Sequence, residues 1–227
     1  MQPYGIPSYG AAAGLQERNK VLRNTYLLLA LSMIPTIAGA LLGMQMHFML
    51  KGILVPMLVF IGVSFAFMFM IERNKHSSMG VVLLLAFTFF MGFWLSQLLQ
   101  VALMFRNGAQ AIGLAGGATA TIFFALSTLA TVTKKDFSFL GKFLFIGLIV
   151  MLVAGIANMF LHLPVMTLVL CSMGALIFSL YILYDVSRVV NGGETNYITA
   201  ALAIYLDIYG LFQNLLVLIL SLTGNDD

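Results

Sequence analysis

Residues 197–222 read YITAALAIYLDIYGLFQNLLVLILSL, an apolar stretch that carries an acid near its middle. At about 1.5 Å per residue, it is long enough to cross the ~30 Å hydrocarbon core of a bilayer. Asp207 lies ten residues into the stretch, at a depth of about 15 Å. A carboxylate at that depth is costly unless it is protonated, paired or facing water, so Asp207 is the first candidate functional residue.

The composition indicates a protein that crosses the membrane several times. The 227 residues are 61% hydrophobic and only 8% charged, whereas a soluble domain carries about 25% charged residues. One cysteine, Cys171, excludes an internal disulfide. The three histidines fall in separate connections without a second metal ligand nearby, and no nucleotide-binding or hydrolase motif occurs. We therefore expect no enzyme activity, no nucleic-acid partner and no permanent cofactor.

Seven apolar stretches predict an all-α membrane protein with seven transmembrane helices. A flexible cytoplasmic N-terminal tail is expected over residues 1–23, and the seven-helix transmembrane domain over residues 24–227. The predicted spans are 26–44, 53–71, 79–104, 109–132, 139–161, 165–184 and 197–222.

The basic residues predict the orientation of these spans in the membrane. When connections are counted alternately, nine basic residues lie on the side of the N-terminus and two on the other side. Basic residues favour the cytoplasmic side, so the N-terminus is expected to be cytoplasmic and the C-terminus external. The nine are Arg18, Lys20, Arg23, Arg73, Lys75, Lys134, Lys135, Lys142 and Arg188, and the two are Lys51 and Arg106.

A second acid, Asp185, is placed to meet Asp207. Each aspartate lies eleven residues from Asn196, in the short connection between the last two spans. If these spans pair antiparallel about that connection, the two carboxyl groups can meet. Two nearby carboxyl groups in a low dielectric do not both ionise cheaply, so they would share one proton and titrate as a unit. The pair could act as a pH sensor, a gate and a transient metal (cation) site.

A structural interpretation of the same acids stays open. Asp207 could simply be protonated or bonded to a tyrosine, with Tyr181 and Tyr205 as candidate phenolic donors. Asp185 could form an interfacial ion pair with Arg188, three residues along the same helix. On this reading, both acids hold the helix bundle together and have no sensing role.

Other polar and small residues within the spans allow several roles. Asn214 shares a helical face with Asp207, which predicts that the last span lies at the bundle centre. Gln97 in span three either lines an aqueous cavity or bonds to a neighbouring helix. Gly113 and Gly117 in span four form a small-xxx-small face that predicts close helix packing.

Several motifs together resemble the Bax inhibitor-1 (transmembrane BAX inhibitor motif) family, in its bacterial YccA-like branch. The resemblance covers essentially all of the chain after residue 20. The motifs are SLYILYD (179–185), NGGETNYI (191–198), ALAIYLDIYGLFQNLL (201–216), TKKDFSFLG (133–141) and TATIFF (119–124).

The resemblance implies a multi-pass protein of the bacterial inner membrane whose last helix is surrounded by the other six. It also implies that Asp185 and Asp207 form a pH-responsive latch in a calcium-leak pathway. A basic residue near the cytoplasmic end of span two, here Arg73, is expected to pair with that latch. A pH-sensitive cation leak channel is therefore the first functional hypothesis.

Two alternatives remain. YccA-like proteins resemble modulators of the membrane protease FtsH, which they would engage through the N-terminal tail, here residues 1–23. The other alternative is an intramembrane hydrolase with paired aspartates. Tyr184-Asp185 matches half of the aspartyl-protease pattern, and Leu206-Asp207 does not match the rest.

Overall fold

The computed structural model describes residues 9–46 and 54–223, with side chains from residue 16 onward. Lys51 and the acidic pair Asp226-Asp227 lie outside the described residues. Within these ranges the chain forms seven α-helices and no strand, and each helix contains a segment long and apolar enough to cross a membrane. The seven-helix prediction is confirmed. The helices are α1 (Tyr9–Met46), α2 (Leu54–Asn74), α3 (Ser78–Leu103), α4 (Gly108–Thr133), α5 (Leu140–Leu161), α6 (Pro164–Asn191) and α7 (Tyr197–Thr223).

Two helices continue beyond their apolar segments. The structure starts α1 at Tyr9, within the region predicted as a tail, and extends α6 past the predicted end at residue 184 to Asn191. A helix does not end where its sequence becomes polar, because Ala, Gln, Glu, Arg and Lys are themselves good helix formers. Instead α6 ends at Gly192, whose φ of +78° is the left-handed conformation that closes many helices.

The last helix lies at the centre of the bundle. It packs against α1, α2, α3, α4 and α6, whereas α5 packs only against α6. The implied arrangement, in which all six helices surround the last one, is therefore wrong for α5. Leu144 is the one buried residue of α5, so nearly all of this helix faces outward.

The closest helix packing is between α1 and α3. A Cβ atom added at Gly92 would lie 1.9 Å from the Thr36 carbonyl oxygen, and one added at Gly39 would lie 2.1 Å from that of Phe89. Glycine at these positions lets the two backbones approach closely, as small residues do in membrane helices. The predicted packing face of Gly113 and Gly117 is wrong, because nothing lies within 4 Å of a Cβ at either position.

A cleft separates α1 from α4. The backbones of these two helices do not approach each other closely. Between them lies a cavity of about 900 Å³, with α7 at its base. The opposite face of α7 packs against α6 and carries the acid Asp207.

Candidate functional site

The candidate site is the contact between Asp185 of α6 and Asp207 of α7. The packing of α6 against α7 places the two side chains close enough to influence each other electrostatically. Both residues are buried, with 9% of Asp185 and 6% of Asp207 exposed. The antiparallel packing of α6 and α7 about the Gly192 turn places them side by side.

This contact has a chemical requirement. An ionised carboxylate only accepts hydrogen bonds, so a bond between two carboxyl groups requires a proton on one of them. The Asp207 Oδ2 atom is buried and has no hydrogen-bond partner among the described residues. A buried carboxyl oxygen without a partner is costly in a membrane interior. The pair is therefore suited to holding a proton, a water molecule or a cation.

A short chain of charged residues connects the pair with the end of the bundle. Arg188 Nη1 lies 3.5 Å from Asp185 Oδ1, and Arg188 Nη2 lies 3.8 Å from Glu194 Oε2 in the α6–α7 connection. The exposed fraction of the side chain rises from 12% at Asp185 to 34% at Arg188. The ion pair with Arg188 foreseen by the structural interpretation is present, and it adjoins the aspartate pair.

The basic partner implied by the family resemblance is placed elsewhere. Arg73, in the last turn of α2, is exposed and forms none of the ion pairs found in the described part of the chain. Arg188 is the basic residue that contacts Asp185 in this conformation. A role for Arg73 in the latch stays a prediction, and it would require α2 to move.

The three tyrosines near the pair differ in what they contact. Tyr181, one turn before Asp185, interacts electrostatically with both aspartates. The Tyr205 hydroxyl instead lies 2.9 Å from Thr36 Oγ1, and the Tyr209 hydroxyl donates to the Met91 carbonyl oxygen at 3.2 Å. Tyr205 and Tyr209 therefore join α7 to α1 and α3, on the face of α7 away from the acids.

The polar face of α7 lies against α6. Asn214 Oδ1 would be only 2.3 Å from a Cβ at Gly174 of α6, and the Phe178 ring covers Gly210 in the same way. The Asn214 amide donates to the Gly210 carbonyl oxygen of its own helix at 2.7 Å. Asn214 therefore supports close α6–α7 packing beside the acid pair.

The polar residues of span three pack between helices. The Gln100 amide donates to the Gly43 carbonyl oxygen at 3.4 Å, and the Trp94 ring lies 5.0 Å from that of Phe60 in α2. Gln97 is half-buried and makes no hydrogen bond within the described ranges. Interhelical packing, not an aqueous cavity, is the arrangement observed around Trp94 and Gln100.

Sequence reasoning missed the hydrogen bonds that fix the α6–α7 end of the bundle. Ser187 Oγ donates to the Lys135 carbonyl oxygen at 3.0 Å, and the Asn196 amide donates to the Lys75 carbonyl oxygen at 2.7 Å. The Arg18 guanidinium of α1 donates to the Val190 carbonyl oxygen. Ser187 lies two residues after the acid and so on the other side of α6, and its spacing gave no signal of this bond. These bonds join α1 and the α4–α5 connection to the helix that holds Asp185, and the α2–α3 connection to the α6–α7 connection.

No group of three or more His, Cys, Asp or Glu side chains in the described part of the chain could hold a metal ion. Calcium takes about six to eight oxygen ligands. Two aspartates supply at most four of these, and waters would have to supply the rest.

Comparison with known proteins places the chain in a family. A family model described as inhibitor of apoptosis-promoting Bax1 matches residues 18–225. The chain belongs to the Bax inhibitor-1 family. This family match spans all seven transmembrane helices described above.

Several bacterial proteins resemble this Bax inhibitor-1 family member over most of their length. A Vibrio cholerae uncharacterized membrane protein is 40% identical over 92% of this chain and 93% of its own. A Neisseria meningitidis uncharacterized protein is 38% identical over 96% of this chain and 98% of its own. The Escherichia coli protein named modulator of FtsH protease YccA is 35% identical over 89% of this chain and 90% of its own. A related Escherichia coli sequence is named inner membrane protein YccA, and a bacterial inner-membrane location follows for this family member.

Proposed function

We propose that this family member is a pH-sensitive cation leak channel, with calcium as the permeant ion and the Asp185–Asp207 pair as its gate. The observation that supports this proposal is the proximity of two buried carboxyl groups on adjacent helices. A contact of this kind changes from attractive to repulsive when a single proton leaves.

The shared proton accounts for the closed state. With one proton between them, the two carboxyl groups form a hydrogen bond that joins α6 to α7. Loss of that proton leaves two negative charges in contact, and their repulsion is strong because the surroundings have a low dielectric. A divalent cation between the two carboxylates would offset the repulsion. Leak is therefore expected to increase as the pH rises.

The groups that face the pair bias this equilibrium. Arg188 stabilises the negative charge of Asp185, whereas Glu194 in the α6–α7 connection opposes it. Tyr181 lies beside both aspartates as a neutral phenol. The site is most exposed on the side of Arg188. Protons and cations would reach Asp185 from this side.

Calcium flux into liposomes that contain the purified protein, measured across a pH series, tests the proposal. Asp207→Asn keeps the size and hydrogen bonding but does not ionise, so it should largely abolish the rise in flux with pH. Asp185→Asn should do the same. The double variant should add little to either single variant, because the pair titrates as one unit.

A matched control is available in the same chain. Asp136, in the α4–α5 connection, is exposed, and its Oδ1 accepts a hydrogen bond from the Ser138 N–H at 2.8 Å. Hydrogen bonds from the side chain and the backbone N–H of Ser138 lower the pKa of Asp136. Asp136→Asn removes an equal charge from an exposed carboxylate outside the pair and should leave the pH response unchanged. A pH response that survives Asp207→Asn, or fully additive effects of the two aspartates, would contradict the gate.

Protease modulation is a second candidate function. It is supported by the Escherichia coli relative named as a modulator of FtsH protease. If the N-terminal segment carries this function, deletion of residues 2–15 should abolish modulation of the protease while flux keeps its pH response. That deletion retains Arg18, whose contact with Val190 belongs to the bundle. Loss of the pH response in the deletion variant would instead tie the segment to the channel.

A further inference from the structure

The cleft between α1 and α4 has the form of a ligand site. Its volume of about 900 Å³ lies within the ~300–1,000 Å³ range of ligand-binding pockets. Residues from Tyr26 to Ile37 of α1 form one wall, residues from Gly116 to Val132 of α4 form the other, and Tyr205 to Phe212 of α7 form the base. Most of this lining is apolar, as a hydrocarbon chain requires.

Two hydroxyl groups that line the cleft have no partner. Tyr26 Oη and Ser127 Oγ are buried and make no hydrogen bond within the described residues. Ser127 is only 6% exposed. The two lie on opposite walls, and the Tyr26 ring reaches Phe123 of α4 in an edge contact of 6.2 Å. Buried hydroxyls are normally hydrogen-bonded, so these two indicate a ligand that offers oxygen acceptors.

Basic residues lie beyond the lining of the cleft at one end, close in sequence to residues that line it. Arg23 precedes Tyr26 by three residues, and Lys134 follows Val132 by two. Both side chains are exposed. Lys135 adds a further positive charge, and the adjacent acid Asp136 is held by the Ser138 N–H. An anionic group at this end would lie about one helical turn from Tyr26 and about two turns from Ser127 along their helices.

We propose that the cleft binds one anionic phospholipid from the leaflet at its basic end. The phosphate lies between Arg23 and Lys134, and the glycerol ester oxygens accept hydrogen bonds from Tyr26 and Ser127. An acyl chain follows the apolar lining between α1 and α4 to the base on α7.

The length of the cleft favours a lipid over a partner helix. At a rise of about 1.5 Å per residue, the α4 wall, residues 116–132, is about 24 Å long and the α1 wall, residues 26–37, about 17 Å, so the cleft has two walls over only about 17 Å. This is close to half of a ~30 Å hydrocarbon core. A spanning helix would need contact over the whole core, whereas a lipid occupies one leaflet.

This proposal does not depend on the leak function. The cleft uses Tyr205, Ile208 and Tyr209 of α7, whereas Asp207 faces α6 on the other side of that helix. Binding at the cleft and the pH response of the aspartate pair can therefore be tested separately.

A tryptophan reporter in the cleft tests the proposal. The chain has a single tryptophan, Trp94, so the Trp94→Phe variant has no tryptophan fluorescence of its own. Phe124→Trp then reports from the cleft, and Phe65→Trp on α2 is the matched control. Both phenylalanines are 66% exposed, and each lies nine residues before the end of its helix.

The measurement is quenching by brominated phosphatidylglycerol or brominated phosphatidylcholine in liposomes. At Phe124→Trp we expect the anionic lipid to bind about fivefold more tightly than phosphatidylcholine, as one basic contact supplies. Arg23→Gln with Lys134→Gln should remove that preference. Ser127→Ala should weaken binding of both lipids by about fivefold, the usual effect of one lost hydrogen bond. The Phe65→Trp control should show no preference beyond the general attraction of the basic surface.

A blocking variant gives a second measurement in the wild-type background. Nothing lies within 4 Å of a Cβ at Gly116 or at Gly113, so a leucine fits at either position. Gly116 lines the cleft and Gly113 does not. Native mass spectrometry should therefore find phosphatidylglycerol retained by the wild type and Gly113→Leu, and lost from Gly116→Leu.

Equal quenching by the two lipids at Phe124→Trp would overturn the proposal, as would equal lipid retention by the two leucine variants. Absence of lipid quenching at Phe124→Trp in intact liposomes would also overturn it. That last result would assign the cleft to another occupant, such as a helix of a partner protein.

Discussion

Arg188 lies between two carboxylates, 3.5 Å from Asp185 and 3.8 Å from Glu194. The guanidinium therefore favours ionisation of the aspartate pair, and Glu194 competes for the same cation. Because the Arg188 side chain is 34% exposed, solvent weakens its effect.

The first prediction follows from this arrangement. Arg188→Gln removes the charge that stabilises the ionised pair, so the midpoint of the flux response should move to higher pH. Glu194→Gln removes a competing negative charge and should move the midpoint to lower pH. Flux in liposomes across a pH series measures both shifts. Shifts in the same direction for the two variants would show that Arg188 and Glu194 do not act through the pair.

The second prediction separates the tyrosines. Tyr205→Phe removes a hydroxyl contact with Thr36 and should lower the free energy of unfolding by about 0.6–1.5 kcal/mol. It should leave the pH response intact, because this hydroxyl faces away from the acids. Tyr181→Phe should instead shift the pH response, since Tyr181 interacts with both aspartates. Thermal unfolding in detergent and liposome flux, measured on both variants, distinguish the two roles.

The third prediction concerns the α1–α3 contact. Gly92→Ala places a Cβ 1.9 Å from the Thr36 carbonyl oxygen, so the backbones must separate, at a cost of about 1–3 kcal/mol. Gly117→Ala meets nothing within 4 Å and should change stability by no more than about 0.5 kcal/mol. Thermal unfolding of the two purified variants checks the difference. Equal stability would mean that α1 and α3 are packed less closely than the structure shows.

The fourth prediction is the orientation in the membrane. Arg18, Lys75, Lys135 and Arg188 lie at one end of the bundle, where hydrogen bonds connect α1 and three interhelical connections. Basic residues at one end favour a cytoplasmic location for that end. A reporter fused after Asp227 should therefore be active outside the cytoplasm. Cytoplasmic activity of that fusion would contradict the odd number of spans or the charge rule.

The sequence predicts the proximity of the aspartates because a short connection fixes the register of the two helices around it. The orientation of Tyr205 also follows from the sequence. Two residues along a helix correspond to about 200° of rotation, which puts Tyr205 on the face opposite Asp207. Tyr181 and Asp185, four residues apart, share a face for the same reason.

Other features depend on packing that a single sequence does not specify. Gly113 and Gly117 form a helix face that permits close approach, but their spacing does not indicate which helix would pack against it. The α1–α3 contact has a small-xxx-small pattern on both sides, Gly39 with Gly43 and Gly92 with Ser96. Arg73 is predicted to pair with the latch because of its place at the end of a helix, but its side chain lies on an exposed face.

The position of α7 has a consequence for how the protein is made. Ribosomes deliver the central helix last, after the six earlier helices have entered the bilayer. Before α7 is inserted, α1–α3 and α4–α6 form two groups of helices with few mutual contacts. The polar face of α7 that carries Asp207 is not yet in the membrane at this stage. The helix α5 packs only against α6, which is made after it. Its mean hydropathy of 2.5 is the highest of the seven helices, so α5 can remain in the lipid bilayer by itself before α6 is inserted. Assembly of the core is therefore completed only when α7 follows the six earlier helices into the bilayer.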